Sequence, residues 1–239
     1  HLQWFSLKTI YFIISLYFYI NLDNIMNIAI IGGGIVGLAL GYKLSKVKGN
    51  KVHVYEKEKE VGFHQSGRNS GVLHCGLAYK PGSLKAKLAV SGIKQMVKYC
   101  VDYKINHDVC GKIVVASNED EAKLLENTAQ RGNLNGLKGL KYLNNRELKD
   151  REPFVSSYKT LLVPEEGIVD YKGVMISMKE NIINSGGNVF LDTKIEKVEE
   201  NKNFIYINKN SSISYNTIIY TTGLQSDINF KKFTNNKLK

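Results

Sequence analysis

The sequence has few cysteines, and their spacing excludes two classes of protein. Three occur in 239 residues, at Cys75, Cys100 and Cys110. They form no C-x-x-C pair, so the sequence indicates neither a zinc site nor a disulfide framework. Unpaired thiols are typical of a reducing compartment, and we therefore expect a cytoplasmic protein. The length is sufficient for one large domain or two small ones.

Arginine is also scarce, although the chain is strongly basic. The formal net charge is +11, yet only four arginines occur. The lysines are scattered along the chain, whereas nucleic-acid-binding proteins cluster Lys and Arg on one face and use Arg to read bases. We therefore expect no nucleic-acid partner. Weak association with a membrane surface, peripheral at the inner membrane, stays open.

A long apolar run occurs near the N-terminus, but it is too short to span a membrane. It extends over eleven residues, from Ile10 to Ile20, whereas a spanning helix needs about 20. No small-residue cleavage site follows it, and Met26 stands directly before a strand-like run. We interpret residues 1–25 as a non-native extension, with a signal anchor as the alternative.

Glycine, in contrast, occurs in an ordered pattern after Met26. The β-branched run Ile28–Ile31 predicts a buried parallel strand, and Gly32, Gly34 and Gly37 follow it as G-x-G-x-x-G. In a dinucleotide-binding turn the first glycine permits the tight turn and the second lets the backbone approach a pyrophosphate. The third lets the helix pack closely on the strand. The helix N-terminus then favours the phosphate charge.

An acidic residue occurs at the spacing that this motif requires. The segment "KVHVYEK" predicts a second strand with Glu56 at its end, nineteen residues after Gly37. A carboxylate there can accept ribose hydroxyls and would repel a 2′-phosphate, which disfavours NADP. The motif alone does not distinguish FAD from NAD, and a glycine-rich turn without a ligand is the remaining alternative.

The segment after the second strand favours FAD over NAD, because it resembles a family of FAD-dependent enzymes. "VGFHQSGRNSGVLHCGLAYKPGSLKAK" does not continue as a regular βαβ unit. It resembles the D-amino-acid-oxidase-like group of FAD-dependent oxidoreductases and, within it, the L-2-hydroxyglutarate oxidase/dehydrogenase family. Further matches follow in order, at "CGKIVVAS", "REPFV", "EEGIVDY" and "YTTGLQSD", so the resemblance covers about residues 26 to 227. Ala78 and Arg68 depart from the residues common in that family.

The resemblance implies a fold and a domain organisation. The expected fold is α/β, a Rossmann-like FAD-binding domain with a β-meander and an inserted, partial α+β substrate domain. The FAD-binding domain would comprise residues 26–105 and 166–239, and the substrate domain residues 106–165. Because the family continues beyond "TTGLQSD", the resemblance also implies a chain truncated at its C-terminus.

FAD is the implied cofactor, bound by the three motif glycines and Glu56. The resemblance assigns further contacts to Ser66, Asn69, Ser70, Ile195, Thr222 and Gly223. The first three have short polar side chains that can hydrogen bond phosphate or ribityl oxygens. The backbone at Ile195 would meet the adenine, and the last two residues would close over the pyrophosphate. A simple strand-end turn is the alternative for Gly223.

The implied reaction is oxidation of a 2-hydroxy acid, L-2-hydroxyglutarate, to the 2-oxo acid. A base must take the hydroxyl proton while the flavin accepts the hydride. His74 is the candidate base, because the pKa of histidine ordinarily lies near working pH; hydrogen bonding to the flavin or backbone is the alternative. Tyr79 and Lys80 could reach a substrate carboxylate. Oxygen or a membrane quinone would accept the electrons.

Three other functions stay open at this stage. A related amino-acid or amine oxidase would use the same FAD domain. A truncated chain could bind FAD weakly or not at all and lack catalysis. An NAD-dependent dehydrogenase is disfavoured by the segment after Glu56. For local structure we expect helices starting after Ser83 and Asn118, a loop at 132–140, and a helix with Val174, Met178 and Ile182 on its apolar face.

Overall fold

The structure is a computed structural model that describes residues 26–196, 198–201, 204–207 and 213–228. The extension at 1–25 and the last eleven residues, which carry the end of the predicted second FAD-binding segment, lie outside the described residues. The chain divides into two compact units. Among the described residues the first unit contains 26–69 and those from 171 onward, and the second contains 70–170. The predicted substrate domain, 106–165, lies inside the second unit.

A parallel sheet organises the first unit. Its strands are β1 (Asn27–Ile31), β2 (Lys51–Tyr55), β9 (Asn188–Phe190) and β13 (Thr217–Tyr220), in the order β13-β1-β2-β9. Strand β1 lies between β13 and β2 and is parallel to both. Its apolar residues are almost fully buried, as expected for a strand covered on both faces.

Two helices connect and cover these strands. Helix α1 (Ile35–Ser45) joins β1 to β2, and α5 (Tyr171–Asn184) precedes β9. The predicted apolar face of α5, at Val174, Met178 and Ile182, is buried. A Cβ on Gly41 of α1 would lie 2.8 Å from Ile182 Cδ1, so the two helices approach each other closely. The parallel strands and their helices confirm the predicted Rossmann-like fold class.

A small antiparallel meander belongs to the same unit. Its strands are β10 (Val198–Asn201), β11 (Phe204–Ile207) and β12 (Ser214–Tyr215). Tyr215 is fully buried in a cluster with Ala29, Ile31, Tyr55 and Ile195. This cluster gives the first unit a core that includes the end of β1.

The second unit contains two antiparallel sheets. One has the order β3-β8-β4, formed by Val72–Leu73, Gly167–Val169 and His107–Asp108. The other has the order β5-β7-β6, formed by Lys112–Ala116, Lys159–Val163 and Lys141–Leu143. Antiparallel pairing within 106–165 is what the sequence predicts for the inserted region.

The helices of the second unit begin at residues that cap them. Ser83 accepts a hydrogen bond from the N–H of Ala86 at the start of α2 (Leu84–Asp102). Asn118 accepts one from Glu121 at the start of α3 (Glu119–Leu134). These two starts agree with the sequence expectation.

Two local features differ from the sequence expectation. Helix α3 continues to Leu134, so the loop expected at 132–140 begins only at Asn135. Gly132 lies within this helix and packs closely, with its Cβ position 2.8 Å from Leu77 Cδ1 and from Leu140 Cδ1. Sequence reasoning also missed α4 (Asn145–Arg151), a short helix with a complete Asn144–Glu147 capping box. Within the described ranges, no helix combines the length and apolar character needed to cross a bilayer.

Candidate functional site

The glycine turn between β1 and α1 is closed by direct backbone contact. Gly32 has φ +115°, and a Cβ there would lie 2.4 Å from the carbonyl oxygen of Thr221. A Cβ on Gly37 would lie 2.0 Å from the carbonyl oxygen of Gly32. Both distances are far below van der Waals contact. The first and third motif glycines therefore have the steric roles predicted from the sequence.

Thr221 holds this turn, and sequence reasoning missed it. It directly follows β13, and its backbone N–H donates to the carbonyl oxygen of Ile31 at 2.8 Å. Its hydroxyl lies 3.1 Å from that oxygen and 3.0 Å from the carbonyl oxygen of Gly32. The parallel register of β1 with β13, which pairs Ile31 with Tyr220, places it there. The sequence feature that could have identified Thr221 is a threonine directly after an apolar strand.

The first turn of α1 has no acidic residue, and its N-terminus donates a hydrogen bond to a hydroxyl from a loop distant in sequence. Gly34 is the N-cap residue and supplies no side-chain cap. The Ser66 hydroxyl accepts a hydrogen bond from the N–H of Ile35 at 3.0 Å, and a Cβ on Gly34 would lie 3.0 Å from Ser66 Oγ. Because the first N–H groups of a helix favour anions, this end of α1 suits a pyrophosphate.

Glu56 lies at the end of β2 with its carboxylate beside the same turn. Its side chain is buried, and Oε2 accepts a hydrogen bond from the N–H of Gly33 at 2.7 Å. Oε1 accepts a second hydrogen bond from the N–H of Glu58 at 3.0 Å. A Cβ on Gly33 would lie 2.9 Å from Glu56 Cβ, so this central residue of the motif must also be small. Glu56 thus lies against the turn, as the spacing predicts.

The other residues predicted to contact FAD differ in exposure and do not all belong to the same unit. Asn69 is exposed and donates from Nδ2 to the carbonyl oxygen of Ser66 at 2.6 Å, whereas Ser70 is exposed and belongs to the second unit. Ile195 is buried in the core cluster. The Thr222 hydroxyl donates a hydrogen bond to Ser226 Oγ at 3.3 Å. The roles of these residues in FAD binding stay predictions.

Gly223 has a conformation that favours glycine, although it has open space around it. Its φ is +59°, and no heavy atom lies within 4 Å of its Cβ position. It begins a short 3₁₀ turn, Gly223–Gln225, directly after Thr222. The backbone conformation alone explains a glycine here, so a contact with the pyrophosphate stays a prediction.

In the second unit, His74 follows β3 and lies beside a buried carboxylate. The His74 side chain is 59% exposed, and its Nδ1 lies 3.8 Å from Oε1 of Glu166, which is only 2% exposed. Lys112 Nζ forms an ion pair with Oε2 of Glu166. Cys75 points its backbone N–H and its thiol at Oε1, each at 3.4 Å. Glu166 lies in the segment EEGIVDY, but no local sequence pattern marks it as a partner of His74.

The loop after Cys75 accepts two hydrogen bonds from the side chain of Asn135, which directly follows α3. Asn135, the C-cap residue of that helix, donates from Nδ2 to the carbonyl oxygens of Gly76 and Tyr79 at 3.0 and 2.9 Å. The Tyr79 ring carries Lys85 Nζ 4.3 Å from its centroid, and Lys80 is exposed. A role of Tyr79 or Lys80 with substrate stays a prediction.

The first unit is thus a dinucleotide-binding domain, defined by its parallel sheet, its glycine turn and the acid after β2. The model of the FAD dependent oxidoreductase family, DAO, matches residues 27–238. The chain belongs to this family. Its residues fit the cofactor, because a Cβ on Gly32 or Gly37 would collide with backbone atoms of the turn and the first turn of α1 carries no acidic residue. FAD is therefore the dinucleotide of this site.

Two curated proteins similar to this chain carry the same name. The chain is 45% identical over 202 residues to an L-2-hydroxyglutarate dehydrogenase of Indibacter alkaliphilus, covering 84% of this chain and 51% of that protein. It is 44% identical over 187 residues to the mitochondrial L-2-hydroxyglutarate dehydrogenase of Dictyostelium discoideum, covering 76% and 41%. The chain spans about half, or less, of the length of these curated relatives.

Solved structures agree with the fold. L-alpha-glycerophosphate oxidase from Mycoplasma pneumoniae, with FAD bound, superimposes with a TM-score of 0.79 at 24% identity over 87% of this chain and 57% of that chain. Glycine oxidase from Geobacillus kaustophilus superimposes with a TM-score of 0.75 at 19% identity over 84% and 56%. At these identities the similarity establishes the fold alone.

Proposed function

We propose that the protein oxidises a 2-hydroxy acid, L-2-hydroxyglutarate, to the corresponding 2-oxo acid with FAD as cofactor. The observation that carries this proposal is the 45% identity, over 202 residues, to a protein named L-2-hydroxyglutarate dehydrogenase. The chain covers about half of that protein, so the activity of this chain is itself part of the proposal.

Gly34 would let the backbone approach the pyrophosphate, in a turn shaped by Gly32 and Gly37. Ser66 would contribute a hydroxyl at the N-terminal end of α1. Glu56 would accept the ribose hydroxyls, which requires that its carboxylate exchange one of its present amide donors, Gly33 or Glu58, for a ribose hydroxyl or accept a further bond. Asn69, Ser70, Ile195, Thr222 and Gly223 complete the proposed set of contacts.

FAD, when bound, supplies the acceptor for the hydride that leaves the carbinol carbon. His74 would take the proton of the substrate hydroxyl on a ring nitrogen, leaving the carbonyl of the 2-oxo acid. Its exposure makes the ring accessible to a ligand, and histidine is suited to this transfer at neutral pH. Lys80 and Tyr79 are the proposed contacts for a substrate carboxylate. The final electron acceptor, oxygen or a membrane quinone, and a cytoplasmic or membrane-peripheral location stay predictions.

The visible spectrum of the purified chain tests the proposal. We expect flavin absorbance that bleaches on anaerobic addition of L-2-hydroxyglutarate, and no bleaching with the D enantiomer. Bleaching by L-glutamate or glycine instead would favour the amino-acid or amine oxidase. A stable flavin spectrum with every substrate would contradict the activity of this chain.

A glycine variant separates cofactor binding from folding in the same test. Gly34→Val places a branched side chain where the pyrophosphate would approach, and its Cβ already meets Ser66 Oγ at 3.0 Å. We expect a folded chain without flavin absorbance. Gly92→Val is the matched control, because no heavy atom lies within 4 Å of the Gly92 Cβ position in helix α2. Full flavin content in Gly34→Val would contradict the assigned site.

A further inference from the structure

The register of one strand pair makes His74 and Glu166 neighbours. Strand β3 pairs antiparallel with β8, with Val72 opposite Ile168 and Leu73 opposite Gly167. The next position of this register brings His74 opposite Glu166. Directly opposite residues of an antiparallel pair point their side chains to the same face, and the observed separation between Nδ1 and Oε1 is 3.8 Å.

The two side chains differ in their exposure. The His74 side chain is 59% exposed and that of Glu166 2%. A ligand can therefore reach the imidazole ring, whereas the carboxylate behind it is shielded from water. Because water screens a buried charge less than an exposed one, the carboxylate can orient a polar hydrogen that faces it.

The buried carboxylate has partners on both of its oxygens. Lys112 Nζ pairs with Oε2, and Oε1 faces His74 as well as the N–H and thiol of Cys75. A buried charge is expensive unless it is paired, and Lys112 provides that pairing. The ion pair with Lys112 involves only Oε2. It does not explain why Oε1 faces the exposed ring of His74.

We propose that Glu166 is a positioning residue for His74. Its Oε1 attracts the proton on Nδ1, which leaves Nε2 as the nitrogen that accepts the substrate proton. The separation of 3.8 Å is within ion-pair range but exceeds a hydrogen bond, so the proposal requires the exposed ring to move closer to Oε1. When Nε2 takes its proton, the resulting imidazolium lies beside a carboxylate that stabilises it. This inference rests on the proposed function of His74 as the base.

Nitrogen NMR of the ¹⁵N-histidine-labelled full chain reads the tautomer directly. The His74 signals are assigned by their loss in His74→Gln. We expect neutral His74 to carry its proton on Nδ1. In Glu166→Met, which removes both oxygens, we expect the Nε2-protonated form that an exposed histidine prefers. Glu165→Met, at the neighbouring half-buried residue, should leave the signals unchanged. An Nε2-protonated His74 in the unaltered chain overturns the inference, even if Glu166→Met does not fold.

Flavin reduction gives the second readout. In variants that retain FAD we expect Glu166→Met to slow reduction by L-2-hydroxyglutarate on the order of tenfold, part of the roughly 10²–10⁴ that a general base supplies. Unchanged reduction together with a changed tautomer overturns the positioning role. If the unaltered chain shows no reduction, the proposed function fails, whereas the NMR signals still decide whether Glu166 sets the imidazole tautomer.

Discussion

Gly37 and Gly32 meet backbone to backbone, so that a Cβ on Gly37 would lie 2.0 Å from the carbonyl oxygen of Gly32. No side-chain rotation can relieve this contact, because one partner is the main chain of the turn itself. The glycine that lets α1 pack on β1 thereby also fixes the shape of the turn proposed to hold the cofactor. We therefore expect stability and FAD binding to be coupled at this residue.

We therefore expect Gly37→Ala to lower the free energy of unfolding by about 2 kcal/mol or more through overpacking. The matched control is Gly92→Ala in helix α2, because no heavy atom lies within 4 Å of the Gly92 Cβ position. That change should raise the free energy of unfolding by about 0.4–1 kcal/mol. Urea unfolding of both variants measures the difference. Equal shifts in the two midpoints would contradict the contact at the turn.

Thr221 and Thr222 are adjacent but have different partners. The Thr221 hydroxyl contacts the carbonyl oxygens of Ile31 and Gly32, whereas that of Thr222 reaches Ser226. Thr221→Val should lower the free energy of unfolding by about 1 kcal/mol, the usual net value of a hydrogen bond. Thr222→Val should leave stability within about 0.5 kcal/mol and reduce flavin content if Thr222 contacts FAD. Urea unfolding and flavin absorbance distinguish the two roles, and stability losses in reverse order would contradict them.

Much of the first unit could be predicted from the sequence, because its signals are local. The apolar run of β1, the motif glycines and the acid after β2 all lie within 29 residues, from Ile28 to Glu56, and their spacing identifies them. Close packing of α1 on β1 follows from Gly37 alone. The family resemblance adds the cofactor, which the glycine motif does not specify by itself.

The residues that sequence reasoning missed depend on pairing between distant segments. Thr221 meets the glycine turn only because β13 is parallel to β1, and the two segments lie about 190 residues apart in sequence. Glu166 meets His74 only through the register of β3 and β8. Neither register is encoded in a local pattern. Helix α4 could have been found from its Asn144–Glu147 capping box.

A buried polar network in the first unit predicts loss of stability in acid. His53 Nδ1 lies 2.7 Å from the hydroxyl of buried Tyr215, which also contacts the hydroxyl of Tyr55. Burial, and to a smaller extent the charge of Lys51, lowers the pKa of His53 below its usual 6.5. The unfolded chain then binds a proton more readily than the folded chain, so stability is complete above about pH 6.5 and is lost as the pH falls below it.

Urea unfolding at pH 7.5, 6.5 and 5.5 measures this dependence. We expect the free energy of unfolding to fall below pH 6.5 and His53→Gln to flatten that decrease. His64→Gln serves as the control, because it also removes a histidine, but at an exposed position. There the ring Nε2 lies 2.8 Å from Oε1 of Glu58. A decrease of the same steepness in His53→Gln and in the unaltered chain would contradict the role of His53.

The three cysteines should differ sharply in reactivity. Burial, reinforced by the charge of Glu166, raises the pKa of the Cys75 thiol to about 12, and burial also raises the pKa of Cys100. Cys110 is exposed. Because the thiolate is the reactive form, we expect about one thiol per folded chain to react rapidly with a disulfide reagent at pH 8.

The fast reaction should disappear in Cys110→Ser and persist in Cys75→Ser. Unfolding in urea should expose all three thiols and make them react together, since burial causes the difference among them. Absorbance of the released thiolate counts the equivalents in each case. Rapid reaction of Cys75 in the folded chain would mean that its thiol is accessible, and this would contradict its burial against Glu166 and the close contact between the two side chains.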